Sequence, residues 1–450
     1  MSANPSSTGK IIANEGYSGI VKLSNLNDLL GAKNDCVKIP EKSDGQISNK
    51  TISLVDCLAC SGCISKDQEI IMSNEQNITR LKENLESSKL LKIAIISPQS
   101  IASYASFNKL DYYTAFKKIE TSLKRVSMCL DQNIGRNLSF DYLSEKFEEE
   151  IFPHEESKSL PKILSACPGV VCFMETSHPT LLKNLSKIPS PPIALANYIH
   201  NICDKNLMDI KDLFICLISP CFDRKLESMR ENFSYSQRDL PNQSSKQLID
   251  CVIGTNEMNQ FIIENDLEEI DQHHNINLKY QNICCKLSQQ FSAQHSFNVP
   301  HGSSDGYLEF ILEIFIKKYS DKHDIKELKI NEYFRGRGTD FKCYEIVNNG
   351  DILFKCAKSY GIKNLSILTQ KLKKSVSEFD FVEAMACPRG CLNGGAQLEY
   401  KNFDELYEKY SENISANSKP EKELQYAKHS IESLKIEFNA IKRDLNVLDW

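Results

Sequence analysis

Seven short apolar runs, several of them β-branched, punctuate the chain from Leu91 onward: LKIAIIS at 91–97, KILSA at 162–166, LFICLIS at 213–219, IDCVIGT at 249–255, DFKCYEIV at 340–347, ILFKCAKSYG at 352–361 and FDFVEAMA at 379–386. Longer helix-like stretches separate them, and strands alternating with helices build parallel sheets covered on both faces. The chain therefore reads as an α/β protein with parallel sheets in two lobes. The expected divisions are a loop-rich unit over 1–90, lobes over 91–270 and 271–416, and a terminal segment over 417–450. The Asn-rich, charged stretches near 230–245 and 268–282 read as loops or insertions.

Three of the runs end in a cysteine beside proline: SACPG at Cys167, ISPCF at Cys221 and MACPRGC at Cys387, with Cys391 four residues further on. Ligands of open α/β sheets sit at the carboxyl ends of the strands, so these positions are expected to converge although they are far apart in sequence. Proline ends each strand, and Gly390, Gly394 and Gly395 let the backbone wrap closely around a bulky occupant. Four thiolates around one site fit a four-iron cluster. Zinc is the alternative, but the wide gaps between these cysteines are unlike compact zinc modules.

A second cysteine pattern lies near the N-terminus, where Cys57, Cys60 and Cys63 in VDCLACSGCIS recur every third residue. That is the spacing with which a ferredoxin-type loop presents thiolates to a cubane cluster. Ala59, Ser61 and Gly62 are small enough for backbone amides to approach the cluster sulfurs. The ferredoxin pattern would place its fourth cysteine where Asp67 stands, so Cys36 is the nearest upstream candidate. The polar first 50 residues would build little core alone, so a metal is expected to hold this unit together. The remaining nine of the seventeen cysteines, Cys129, Cys172, Cys203, Cys216, Cys251, Cys284, Cys285, Cys343 and Cys356, mostly lie in apolar patterns and read as core residues.

The bulk properties exclude several function classes. A formal charge of −6, with basic and acidic residues interspersed, leaves no basic face for nucleic acid or an anionic membrane as main partner. No apolar run approaches the roughly 20 residues that span a bilayer. The first residues lack the apolar core of a signal peptide and the Arg-rich pattern of a transit peptide, which predicts a cytosolic or nuclear protein with reduced thiols.

Past Glu412, the segment NISANSKPEKE reads as a linker, and Leu424, Ala427, Ile431, Leu434, Phe438, Ile441 and Leu445 then step by three and four. This spacing predicts an amphipathic helix packing on its own domain or on a partner. The chain ends in Leu448, Asp449 and Trp450, its only tryptophan. An indole beside two carboxylates is suited to anchoring in a basic pocket of a partner.

Taken together, these motifs resemble the iron-only hydrogenase-like family over nearly the whole chain. FVEAMACPRGCLNGGAQ resembles its signature E-x-M-A-C-x-G-G-C-x-x-G-G-G-Q, SPCFDRKLE resembles M-P-C-x-x-K-x-x-E, and SACPG resembles C-C-P-G. Within the family the chain is most similar to the eukaryotic cytosolic iron-sulfur assembly factors, also described as nuclear prelamin A recognition factor-like. They share DCLACSGCI, an upstream cysteine, CPG-x-V-C, GYLE and a terminal tryptophan. The resemblance implies a two-lobed hydrogenase-like fold holding two [4Fe-4S] clusters. Cys36, Cys57, Cys60 and Cys63 would hold one, and Cys167, Cys221, Cys387 and Cys391 the inner one. It further implies a link between an early scaffold complex and a late targeting complex that serves apoprotein clients, with Leu448, Asp449 and Trp450 as the docking tail.

The departures fall on groups that do chemistry in hydrogenases. Ala166 stands where those enzymes carry a proton-relaying thiol, Ser219 replaces a methionine, and Arg224 replaces a lysine. Arg389 and Ala396 replace glycines and are expected to crowd the same pocket. Val170 replaces an aromatic usual in the assembly factors. Loss of the positioned proton carrier predicts a protein that is not an enzyme.

Overall fold

The computed structural model describes residues 76–87, 90–123, 125–151, 161–236, 245–266, 280–292, 302–322, 328–334, 339–374, 378–415, 434 and 436–440, together with two short strands at Ile20–Val21 and Ile52–Ser53 that pair antiparallel. Two sheets organise the described residues. The first comprises β1 (Leu91–Ile96), β2 (Met128–Asp131), β4 (Leu213–Ser219) and β5 (Cys251–Gly254) in the order β2-β1-β4-β5, every pair parallel. The second runs β6-β7-β8-β9-β3, from Leu328–Phe334, Phe341–Asn348, Asp351–Tyr360, Phe381–Met385 and Lys162–Leu164. Its β6-β7-β8 portion is antiparallel and its β8-β9-β3 portion parallel. Residues 91–270 thus contribute to both sheets, because β3 completes the second.

Strands β1 and β4 are buried at every position. This is the near-continuous apolar character of a parallel strand covered on both faces. Alternate residues feed separate cores: Ile93, Ile95, Ile215 and Leu217 pack on one face, and Ala94, Ile96, Cys216 and Ile218 on the other. A third core joins the second sheet to the helix α4 (Tyr307–Lys322), where Phe140 stacks on Phe310 at 4.1 Å.

Proline punctuates the strand ends as expected. Pro98 opens α1 (Pro98–Asn108) after β1, and Pro168 opens α2 (Pro168–Ser177) after β3. A first-turn proline lacks only an N–H that the helix leaves unbonded, and its φ suits the helix. The short α3 (Asp223–Ser228) follows β4, and α5 (Phe403–Ser415) lies across α1.

The expected amphipathic helix is not what the described part of the terminal segment forms. Leu434 and residues 436–440 carry no regular secondary structure, with Ile436 buried and Leu434 and Phe438 half-buried. Burial alternates with period two, and the backbone bonds outward: the Asn439 N–H donates to Glu175 Oε1 at 3.0 Å, and Asn232 Nδ2 donates to the Glu437 carbonyl at 3.2 Å. Those bonds to the body replace the internal bonds of a helix. The other positions of the predicted seam, Leu424, Ala427, Ile431, Ile441 and Leu445, lie outside the described residues.

Among the nine cysteines expected in the core, Cys203, Cys216, Cys251, Cys343 and Cys356 are buried and Cys129, Cys172 and Cys284 half-buried. Cys285 is exposed, because it follows Cys284 on the helix Gln281–Ser292 and turns away from the face that packs. Among the described residues no helix is long and apolar enough to cross a membrane.

Candidate metal centre

Three turns at the carboxyl ends of strands enclose one cavity between the two sheets. Cys167 follows β3, Cys221 follows β4, and Cys387 and Cys391 follow β9, and all four line this cavity. Positions separated by 54 residues and more in sequence meet there because parallel strands bring their carboxyl ends to one side. Cys36, Cys57, Cys60, Cys63, Leu448, Asp449 and Trp450 lie outside the described residues.

The turns are held by side chains as well as by the sheets. The Cys167 N–H donates to Ser165 Oγ at 3.2 Å, and Ser165 Oγ donates to the Ala384 carbonyl at 2.6 Å, tying the β3 and β9 turns together. The Cys221 N–H donates to Ser219 Oγ at 3.3 Å, and the Cys391 N–H to Ser304 Oγ at 2.7 Å. Between Cys387 and Cys391 the chain turns through Gly390 at φ +80°, where a Cβ would lie 2.3 Å from Ser304 Oγ. Only glycine satisfies both conditions.

Burial raises the pKa of all four thiols. For Cys221, Asp223 and then the neighbouring thiols add to it, and Cys391 is pushed up to about 12. A metal bound by these thiols would have to displace their protons, which would couple its binding to proton release. No three His, Cys, Asp or Glu side chains among the described residues are drawn together tightly enough to hold one metal ion. The four thiols that line the cavity are a donor set that an iron-sulfur core accepts.

Positive charge is supplied by Arg224, which lines the cavity and is buried. Its Nη2 donates to the Ala166 carbonyl at 2.6 Å and its Nη1 to Glu227 Oε2 at 2.5 Å. Burial opposes the charge, but Glu227 and the facing thiols Cys391 and Cys221 outweigh it and raise the pKa. The fork bonds a carbonyl and a carboxylate at once, which the compact ammonium of lysine does with less geometric control. Lys225, the next residue, pairs with Glu257 at 3.0 Å instead.

The opposite wall is polar and was not apparent from the sequence. Ser97, Gln99, Gln132 and Asp305 line it. Ser97 Oγ donates to Gln99 Oε1 at 2.5 Å, and Gln99 Nε2 donates to Asp305 Oδ1 at 2.9 Å. Ser97 directly follows β1, so the strand-end rule applied to that strand would have found it, whereas Gln132 follows β2, which no apolar run marks.

The sequence comparisons place this cavity in a known setting. The model for the iron only hydrogenase large subunit, C-terminal domain, matches residues 91–395 and so spans β1–β9 and all four cysteines. The chain belongs to the iron-only hydrogenase-like family. Within it the chain groups with cytosolic iron-sulfur assembly factors. It is 31% identical to the probable cytosolic Fe-S cluster assembly factor oxy-4 of Caenorhabditis elegans, over 88% of this chain and 87% of that one. It is 28% identical to the cytosolic iron-sulfur assembly component 3 of Rattus norvegicus, over 85% of each. The fold matches a variant of apo [FeFe]-hydrogenase HydA1 from Chlamydomonas reinhardtii with a TM-score of 0.57 at 19% identity, covering 80% of this chain and 94% of that one.

Against the hydrogenase signature, the departures sort by position. Ala166 offers no ionisable side chain beside the cavity, and its carbonyl is occupied by Arg224. The expected crowding by Arg389 and Ala396 does not occur, since neither lines the cavity. The Arg389 guanidinium lies over the Phe403 ring at 5.0 Å, and the Ala396 Cβ packs at Gly254, where an added Cβ would be 2.9 Å away. Both side chains turn toward neighbouring elements instead.

Proposed function

We propose that this chain is a non-catalytic, cytosolic assembly factor that holds two [4Fe-4S] clusters and links an early scaffold complex to a late targeting complex serving apoprotein clients. One observation carries the reading: four cysteines converge on one cavity, and alanine stands where the family resemblance places the proton donor. Cys167, Cys221, Cys387 and Cys391 would hold the inner cluster. Cys36, Cys57, Cys60 and Cys63 would hold the second, by their spacing and family pattern. An iron-sulfur cube held by four thiolates supplies electron-transfer capacity and a store of iron and sulfide. The chain's own residues bind it, exclude water and, through Arg224, offset its negative charge. The tail Leu448, Asp449 and Trp450 is assigned to docking on the targeting complex.

Protein purified without oxygen is expected to carry about eight iron atoms per chain, as two four-iron cubes require, with acid-labile sulfide in equal amount. Electron paramagnetic resonance after reduction should show two cluster signals, and hydrogen evolution should be absent. Tightly bound zinc without iron would overturn the cluster reading, and hydrogen turnover would overturn the non-catalytic one. Deletion of Trp450 should abolish capture by the targeting complex while iron content stays unchanged. Undiminished capture would remove the tail from the account.

A further inference from the structure

Behind the Cys167 turn lies a groove that Ile436 and Phe438, from the terminal strap, line together with Val171, Cys172, Leu226 and Phe233. Pro168 lines both this groove and the thiol cavity, and Glu227 on the groove bonds Arg224 on the cavity. The Cys167–Pro168 turn and this ion pair are thus a wall that the two spaces share. The polar groups of the wall are satisfied by the body of the protein alone. Glu227 Oε1 accepts from Ser190 Oγ at 2.9 Å and its Oε2 from Arg224, Ser165 Oγ donates to the Ala384 carbonyl, and Arg230 bonds both carboxylate oxygens of Glu175. Lifting the strap leaves none of these groups buried without a partner, so the groove is built to stand open as well as covered.

The strap itself is lightly held. Residues 436–440 join no sheet among the described residues, and residues 437, 439 and 440 are exposed. Its backbone meets the body where the Asn439 N–H donates to Glu175 Oε1 at 3.0 Å and where the Glu437 carbonyl accepts from Asn232 Nδ2 at 3.2 Å. Burial of Ile436 and of part of Phe438 adds to these bonds. A segment with few buried contacts and an exposed backbone lies at the low-stability end of a fold, where it opens while the rest stays intact.

We propose that residues 436–440 are a displaceable cover whose seating sets how readily solutes reach the inner site. Seated, the cover keeps water and small molecules from the rear of the Cys167 turn. Lifted, it opens the groove and exposes the wall shared with the thiol cavity. The inference rests on the inner-cluster reading above and concerns the rate of access to that site, not the amount of iron it holds.

Cys172, half-buried on the groove wall, reports the position of the cover. Full-length protein, purified anaerobically, is treated with iodoacetamide and the labelling of Cys172 is followed by peptide mass spectrometry, while iron release to a ferrous chelator is timed in parallel. Ile436→Ala/Phe438→Ala should start with full iron, label at Cys172 several-fold faster than the unaltered chain and release its inner-site iron several-fold faster. Asn439→Pro removes the N–H bonded to Glu175 and leaves both apolar side chains, so it should move both rates the same way by less. Ile262→Ala truncates a buried residue in a core that the strap does not touch and should move neither rate. Unchanged labelling in both strap variants, labelling that rises while release does not, or an equal rise in Ile262→Ala overturns the proposal. Cys387→Ala identifies the inner-site share of the release. If that variant loses no iron, the inner-cluster reading fails and access to that site falls with it, while the labelling still decides whether the strap is a cover.

Discussion

Two groups of cysteine in this molecule share a residue type and burial yet differ in what they can do. Cys216, in the middle of β4, and Cys251, the first residue of β5, face each other as register partners, and Cys129 lies in the same row across Ala94. Cys167, Cys221, Cys387 and Cys391 lie just beyond strand ends. In mid-strand the backbone is committed to the ladder and the side chain to the core, so Cys216 is fixed against its neighbour. A hydrogen bond with Cys251, then burial, raises its pKa well above the ordinary thiol value. Past the strand end the backbone is free to turn, glycine can tighten it, and the thiol faces a cavity. Position on the strand, more than burial or pKa, separates a thiol locked in the core from one that faces the cavity.

The most forceful way to break this distinction is to exchange the groups. Cys387→Ala should lose half or more of the total iron, because one missing corner of a cube removes the cluster. Cys251→Ala should keep all of it and lose only about 1 kcal/mol of stability, the usual scale for a core substitution. Iron analysis with denaturant unfolding checks both. Iron loss from the Cys251 variant would show that thiols within the strands also serve the metal.

A smaller effect is expected on the outer side of the Cys167 turn. Ile436 and Phe438 line a groove together with Ser165, Pro168 and Cys172, so one turn of chain separates this strap from the thiol cavity. Glu175, which accepts the Asn439 N–H, is buried and held by Arg230 in a two-pronged ion pair at 2.5 and 3.0 Å. Ile436→Ala should cost about 2 kcal/mol, at the low end for such a truncation because the groove is open on one side. Iron content should not change. A loss of iron with the strap would mean that packing behind the turn, and not strand-end geometry alone, holds Cys167 in place.

Most of the sheet framework was legible from the sequence, because fully buried parallel strands are continuous apolar runs. The strands that escaped are edge strands. β2, Met128–Asp131, is short and half-buried, and β6, Leu328–Phe334, is charged, with residues 329–333 exposed. In the described part of the terminal segment, 434 and 436–440, Leu434 and Phe438 fit a spacing of four and of two equally well. Ile436 between them decides for the extended form. Convergence of Cys167, Cys221, Cys387 and Cys391 followed from strand direction alone.

Strand β9 carries both kinds of position and allows the finest test. Cys387 lies beyond its end, while Glu383 sits within it, fully buried, accepting from the Leu308 N–H at 3.1 Å and the Tyr360 hydroxyl at 3.1 Å. Burial, reinforced by Glu309 and opposed by Lys358, raises the Glu383 pKa to about 7. The folded state therefore holds a proton that the unfolded chain has released, so the group's contribution is full below the ordinary glutamate range and declines as pH rises toward about 7. Glu383→Gln keeps a neutral amide in place and should flatten that decline, measured as the unfolding midpoint across this pH window. Iron content should be the same at every pH in both proteins. An unchanged slope in the variant would mean that Glu383 is ionised in the fold, with Lys358 as its counter-charge. A change in iron would mean that mid-strand and strand-end positions on β9 are not independent.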